Sequence, residues 1–117
     1  MIPSEKSLSL YMRALEGLSL RQRVISHNIA NQSTPGFHAK RVDFEDAMQA
    51  AIRDGGDARG VEFHVRETGD EGLKADGNNV FLEKEWMLME KTRLLHQLFS
   101  RAVGGTFRTL LQGIRGR

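Results

Sequence analysis

Apolar residues recur with a seven-residue period along the first part of the chain. Leu8, Leu15, Gln22 and Ile29 fall on one row, and Tyr11, Leu18 and Ile25 on the other. Six of these seven seam positions are apolar, and Gln22 is the exception. That spacing predicts a helix from Ser4 to Ala30, roughly 40 Å long at 1.5 Å per residue. Ser4 is placed to cap it, and Glu5 puts a negative charge in the first turn, where the helix dipole favours one. Such a helix either faces the core of its own monomer or pairs with a partner. The remaining chain looks too small to cover it, which favours the partner.

The pattern breaks at "SHNIANQSTPGFHAKRVDF", residues 26–44. A short motif this polar marks an active site or a joint. Asn31 suits a left-handed residue at the helix end, because asparagine tolerates positive φ. Pro35 forces Thr34 into an extended conformation. Proline followed by glycine at the two central positions predicts a type II turn over Thr34-Pro35-Gly36-Phe37. Asn28, Ser33 and Thr34 can bond backbone groups freed where the helix stops. Asp43 is placed to cap a short second helix, residues 44–53, with Phe44, Met48, Ala51 and Ile52 on one side.

Residues 54–79 hold six of the twelve glycines. Within them Val61, Phe63 and Val65 alternate, which predicts a strand over 61–65. "DGNN", Asp76–Asn79, is a turn signal. From Leu82 the helical period returns. Leu88, Leu95, Phe99, Ala102 and Val103 share a face, which Phe107, Leu110 and Ile114 continue. Gly104-Gly105 falls within it, at roughly 1 kcal/mol per glycine relative to alanine. It marks either a bend or the close approach of another helix. The expected fold is therefore mainly α. Long N- and C-terminal helices pair as a coiled-coil-like hairpin, and a small irregular middle holds a short helix and a short β-strand. The expected organisation is one domain over 1–117: the N-terminal helix (1–31), the motif loop with the acidic middle (32–79) and the C-terminal helix (80–117). Leu10, Met12, Leu20 and Val24 on the first helix, and Leu94, Leu98 and Leu111 on the last, lie outside one narrow seam. Partners in an assembly would cover them.

Charge sharpens this picture. The 117-residue chain has a net charge of only +2. Residues 43–76, however, carry ten acids and four bases, net −6, so the two ends together carry +8. Such asymmetry suits contact with differently charged neighbours. There is no cysteine, which excludes disulfides and thiolate zinc sites. The opening "MIPSEKSLSLYM" has no basic stretch followed by an apolar run, so no secretory signal peptide is expected. No run approaches the ~18 apolar residues of a membrane span.

Chemistry is sparse. His27, His38, His64 and His96 are scattered without metal-ligand spacing, so no metal site and no cofactor are expected. The carboxylates lie in a region with little core from which to build a pocket that would shift their pKa values. P-loop, dinucleotide and nucleophile-elbow motifs are absent, and the acids around "DGNN" lack calcium-loop spacing. Four arginines over the last seventeen residues, without aromatic stacking, are a weak nucleic-acid signal, so nucleic acid is not an expected partner. No enzyme is indicated.

Two stretches carry a family resemblance. In "NIANQSTPGF", Asn28, Ile29, Ala30, Asn31, Thr34, Pro35, Gly36 and Phe37 match, position by position, the N-terminal signature of bacterial flagellar rod and hook proteins. "KRVDFED", the segment "DGNNVFLEKEWMLMEKTRLLHQLF" with Glu85, Met89 and Leu95, and the ending "LLQGIRGR" resemble the proximal-rod branch of that family. Together they span nearly the whole chain except 54–75. Phe81 and His38 depart from the residue types common there. The resemblance implies an axial structural protein without catalysis. Its assembly interface would comprise Leu8, Tyr11, Leu15, Leu18, Ile25 and Ile29 on the first helix, and Leu88, Leu95, Phe99, Val103, Phe107, Leu110 and Ile114 on the last. It also implies a helical tube around the export channel, made of copies of itself and other rod proteins. At the base of the rod, in the periplasmic space, it would meet the MS ring, an adaptor protein and the export gate, and so transmit torque. Delivery would be through the flagellar type III apparatus. On this reading the motif is a joint. The alternative is a cytoplasmic helical adaptor or chaperone that binds partners through the same heptads.

Overall fold

The computed structural model describes residues 5–70 and 72–115. The heptad stretch forms helix α1, Glu5–Ala30, and the last third forms helix α3, Leu82–Ile114. Between them lie strand β1 (Lys40–Asp43), helix α2 (Glu45–Arg53), a 3-10 turn (Ala58–Gly60) and strand β2 (His64–Glu67). Asn28 near the end of α1 meets Glu85 near the start of α3, and Ser19 meets His96, so the long helices run antiparallel. Tyr11 and Phe99 pack with ring centroids 6.0 Å apart further along the seam. The result is a thin hairpin, 65 × 25 × 16 Å, with a radius of gyration of 17.8 Å. A compact chain of this length would have a radius of gyration of roughly 13 Å.

The middle is held against α1. Leu18, Val42 and Phe44 form a buried cluster, against which Leu20, Val24, Met48, Phe63, Leu95 and Phe99 pack. The Phe44 ring lies on the backbone of α1 at Gly17. A Cβ there would stand 3.0 Å from three ring carbons. A glycine that weakens a helix in isolation is thus needed for docking. Arg21 adds a clamp. Its guanidinium bonds both carboxylate oxygens of Glu45 at 2.7 Å and the Val42 carbonyl at 2.5 Å. Burial raises the Glu45 pKa, but Arg21's bonds and charge and backbone N–H donors outweigh it and hold the group below the usual carboxylate value. Arg13 donates to the buried Val61 carbonyl and stacks on Phe63, 3.9 Å from its centroid.

Several expectations are corrected. The strand runs over His64–Glu67 instead of 61–65, and it pairs antiparallel with β1, which periodicity did not indicate. Val61 and Phe63 still point inward, but Val65 is exposed. Asp43 does not cap α2. Phe44 occupies the cap position without a side-chain bond, while the Asp43 carboxylate accepts from Arg66 Nε at 2.6 Å. Pairing of β1 with β2 turns Asp43 toward its cross-strand neighbours and away from the helix. Ile52 faces solvent, apart from its expected companions. Leu20 and Val24, expected to await partners, are partly covered by the core of the chain itself. α3 runs unbroken through Gly104-Gly105, and the nearest approach to either is Arg108 of the same helix at 3.7 Å from a Cβ built on Gly104. The expected Ser4 cap lies outside the described residues. No helix among the described residues is long and apolar enough to cross a membrane.

Candidate functional site

The motif that ends α1 forms a joint built on amide and carboxylate side chains. Asn28 is fully buried. Its Oδ1 accepts from Lys40 N and its Nδ2 donates to Lys40 O, both at 2.9 Å. The side-chain amide thus does what a neighbouring strand would do for β1. The same Nδ2 donates to Glu85 Oε1 at 2.8 Å. Glu85, 1% exposed, also takes both terminal nitrogens of Arg41, Nη1 at 3.0 Å and Nη2 at 2.7 Å. One carboxylate therefore ties α3 to α1 and β1 through a forked, charge-assisted pair.

Asn28 was expected to cap its own helix, and it does not. Asn31 does that work: its Nδ2 donates to the His27 carbonyl at 2.8 Å, and its Oδ1 accepts from Thr34 Oγ1 at 3.0 Å. Nor is Asn31 left-handed, for among the described residues positive φ occurs only at glycines. The helix instead tightens into i→i+3 bonds, Asn31 N to Asn28 O and Gln32 N to Ile29 O. The turn itself is as expected. Phe37 N donates to Thr34 O at 3.2 Å, and Gly36 has φ +75°. Ser33 is exposed.

"DGNN" locks onto this turn. Asn78 Nδ2 donates to the Asn31 and Thr34 carbonyls at 2.9 and 2.8 Å, while its Oδ1 accepts from Val80 N. Asn79 Oδ1 accepts from Ala39 N at 2.6 Å, and its Nδ2 donates to Thr68 Oγ1 and Gly69 O. Gly36 N donates to Asp76 O at 2.9 Å. The two stretches that carried the resemblance are thus one physical unit, joined across 40 or more residues. No buried side-chain nitrogen or oxygen among the described residues lacks a partner, and these residues form no metal-binding cluster. Each buried polar side chain of the joint is thus held by at least one protein partner.

Sequence reasoning missed Arg41, Gly17 and the roles of Asn78, Asn79 and Glu85. Glu85 had a signal: it shares the helical face of Leu88, Thr92 and Leu95, so burial was readable from its spacing. Of the expected assembly residues, Leu18 and Ile25 are buried within the chain. Leu8, Tyr11, Leu15, Ile29, Leu88, Leu95, Phe99, Val103 and Leu110 are half-buried, and Phe107 and Ile114 are exposed. In the motif, Ile29 and Phe37 are half-buried, and Ala30, Thr34, Pro35 and Gly36 are exposed.

The family described as flagella basal body rod protein matches residues 10–38, which run from α1 through the turn. The chain is also 32% identical over 121 residues to the flagellar basal body rod protein FlgB of Agrobacterium fabrum, with 91% of this chain and 90% of that protein covered. This chain belongs to the FlgB family of flagellar basal body rod proteins. FlgB of Borrelia hermsii is 30% identical over 126 residues, covering 91% and 93%. FlgB of Bacillus subtilis is 29% identical over 116 residues, covering 88% of each chain. The chain is accordingly a structural subunit of the flagellar basal body rod and not an enzyme. In this FlgB-family chain Asn28 and Asn31 of "NIANQSTPGF", with Asn78, bond the end of α1 to β1, to the turn and to the "DGNN" segment.

Gly36 gives a direct test of the joint. A Cβ there meets nothing within 4 Å, so a substitution is penalised through the backbone alone. Gly36→Val is expected to cost roughly 1–2 kcal/mol for a β-branched residue at positive φ, and Gly36→Asn less. Urea midpoints should rank glycine, asparagine, valine, and motility should follow that order. Equal midpoints for valine and glycine would contradict the type II turn.

Proposed function

We propose that this chain builds the proximal end of the rod. Copies assemble helically around the export channel through the terminal helices and join the MS ring, adaptor and export gate to the rod above, so passing torque. The 1–117 chain acts as one axial domain. It reaches the periplasmic space through the flagellar type III apparatus, a route that suits a thin hairpin with no membrane span among its described residues. The observation that carries this reading is the apolar surface left along the hairpin. Leu94, Leu98, Phe107 and Ile114 on α3 and Met12 on α1 are exposed, more than an isolated chain has reason to display. Leu98 and Phe107 contribute little to the chain's own core, so they separate assembly from folding.

The test uses cells lacking their own copy of the protein. Phe107→Asp is expected to fold and be exported, yet to be missing from purified basal bodies, with loss of motility. Wild-type amounts of the Phe107→Asp chain in basal bodies, with normal swimming, would refute the role assigned to α3.

A further inference from the structure

The first turns of α3 present a feature that the joint does not use. Trp86 is the only tryptophan in the chain, and it is 59% exposed. Met87 beside it is 66% exposed, and Leu82, one turn earlier, is also exposed. Glu85 and Leu88 turn inward, so this apolar knob stands on the outer flank of the helix. Glu83, exposed and outside any ion pair among the described residues, lies next to it.

Another flank of the same stretch of helix borders a cleft of about 290 Å³ between α1, β1 and α3. Val24, Leu88 and Leu95 give it apolar walls, and its rim is basic on balance, with Asp43 and Glu45 set among arginines and the lysines Lys40 and Lys91. Arg21 and Arg41 are neutralised by Glu45 and Glu85. Lys91 is exposed and has no ion pair among the described residues. The volume lies at the lower edge of small-molecule sites, about 300–1,000 Å³, and suits one large side chain. Tryptophan entering a desolvated pocket is the usual anchor of a protein interface.

The geometry points to a contact between copies of this chain: Trp86 of one subunit fills the α1–β1–α3 cleft of the next, with Glu83 against Lys91. Knob and cleft are different surfaces of one molecule, so the contact is heterologous. Repeated, it closes a ring or extends a helix. This deepens the assembly reading of the preceding subsection and rests on it.

With a single tryptophan, fluorescence reports on this residue alone. In the full-length purified protein at low salt, emission is expected to move to shorter wavelength as sedimentation shows association. Trp86→Ala should abolish association. Lys91→Glu should weaken it about tenfold, and Glu83→Lys in the same chain should restore it. These side chains are exposed, so melting curves should stay unchanged and folding is not confounded. Polymers whose Trp86 emission stays that of a solvated indole would overturn this contact while leaving assembly through the helices standing. A swap variant no better than Lys91→Glu would also overturn it. So would burial of Trp86 only on addition of another rod protein, or a chain that remains monomeric. The Phe107→Asp basal-body experiment reads assembly in the cell independently of these outcomes.

Discussion

Glu85→Ala is expected to destabilise the isolated chain by about 3–5 kcal/mol, because it breaks a buried, forked ion pair from one side. The carboxylate accepts three hydrogen bonds, one from Asn28 and two from Arg41. Without it, the Arg41 cation keeps the Lys40 carbonyl as its one remaining partner among the described residues. Arg41 retains some exposure, so water recovers part of the loss and the lower end of the range applies. Domains of this size are stable by only about 5–15 kcal/mol, so such a loss is a large share. Glu85→Gln should fall between wild type and alanine: it preserves the shape and an acceptor for Asn28 but removes the charge. Glu90→Ala, which removes an exposed pair with Arg93, should leave the urea midpoint unmoved. The measurement is urea unfolding followed by helical circular dichroism. A Glu85→Ala midpoint within error of wild type would show that the joint does not hold the hairpin together.

Leu18→Asp should be at least as damaging. Leu18 is 2% exposed and sits under Val42 and Phe44, where the middle of the chain meets α1. The substitution removes a packed side chain and buries a carboxyl group, together costing on the order of 5 kcal/mol. Leu15→Asp, one turn earlier on the other seam row, should cost less, because Leu15 is half-buried and water can reach the new carboxylate. Asp70→Asn, on an exposed loop, should be silent. Amide hydrogen exchange gives the site of the effect. Protection should vanish over β1, α2 and β2 together in Leu18→Asp, since their docking depends on that one cluster. Retained protection there would place the core of the middle elsewhere. The loss must appear in the monomer, whereas Phe107→Asp should appear only in the assembly, so the two variants separate folding from polymerisation.

The long helices were legible because helical periodicity is a local property. The apolar rows of Leu8 to Ile29 and Leu88 to Ile114 required no knowledge of what they touch. The Thr34–Phe37 turn was legible for the same reason: proline and glycine impose their φ preferences wherever they stand. Helix ends were less so. Asn31 was given a backbone conformation that asparagine tolerates, when its side chain met the same need by reaching back to the His27 carbonyl.

What lay beyond the sequence was every partnership between distant residues. Asn28 reads as a helix cap until the 12 residues to Lys40 are folded back on it. Glu85 reads as one acid in a charged helix until Asn28 and Arg41 converge on it across 57 and 44 residues. Strand β1 has no period of its own, since four residues are too few to show one, and it exists because β2 and the Asn28 amide take up its backbone groups. Gly17 looks like a defect in a helix until Phe44 lies on it. Local preference fixed the helices and the turn, because each residue carries its own φ and period. The joint was decided only by tertiary structure, because a hydrogen bond between buried groups depends on two chain segments arriving at one place.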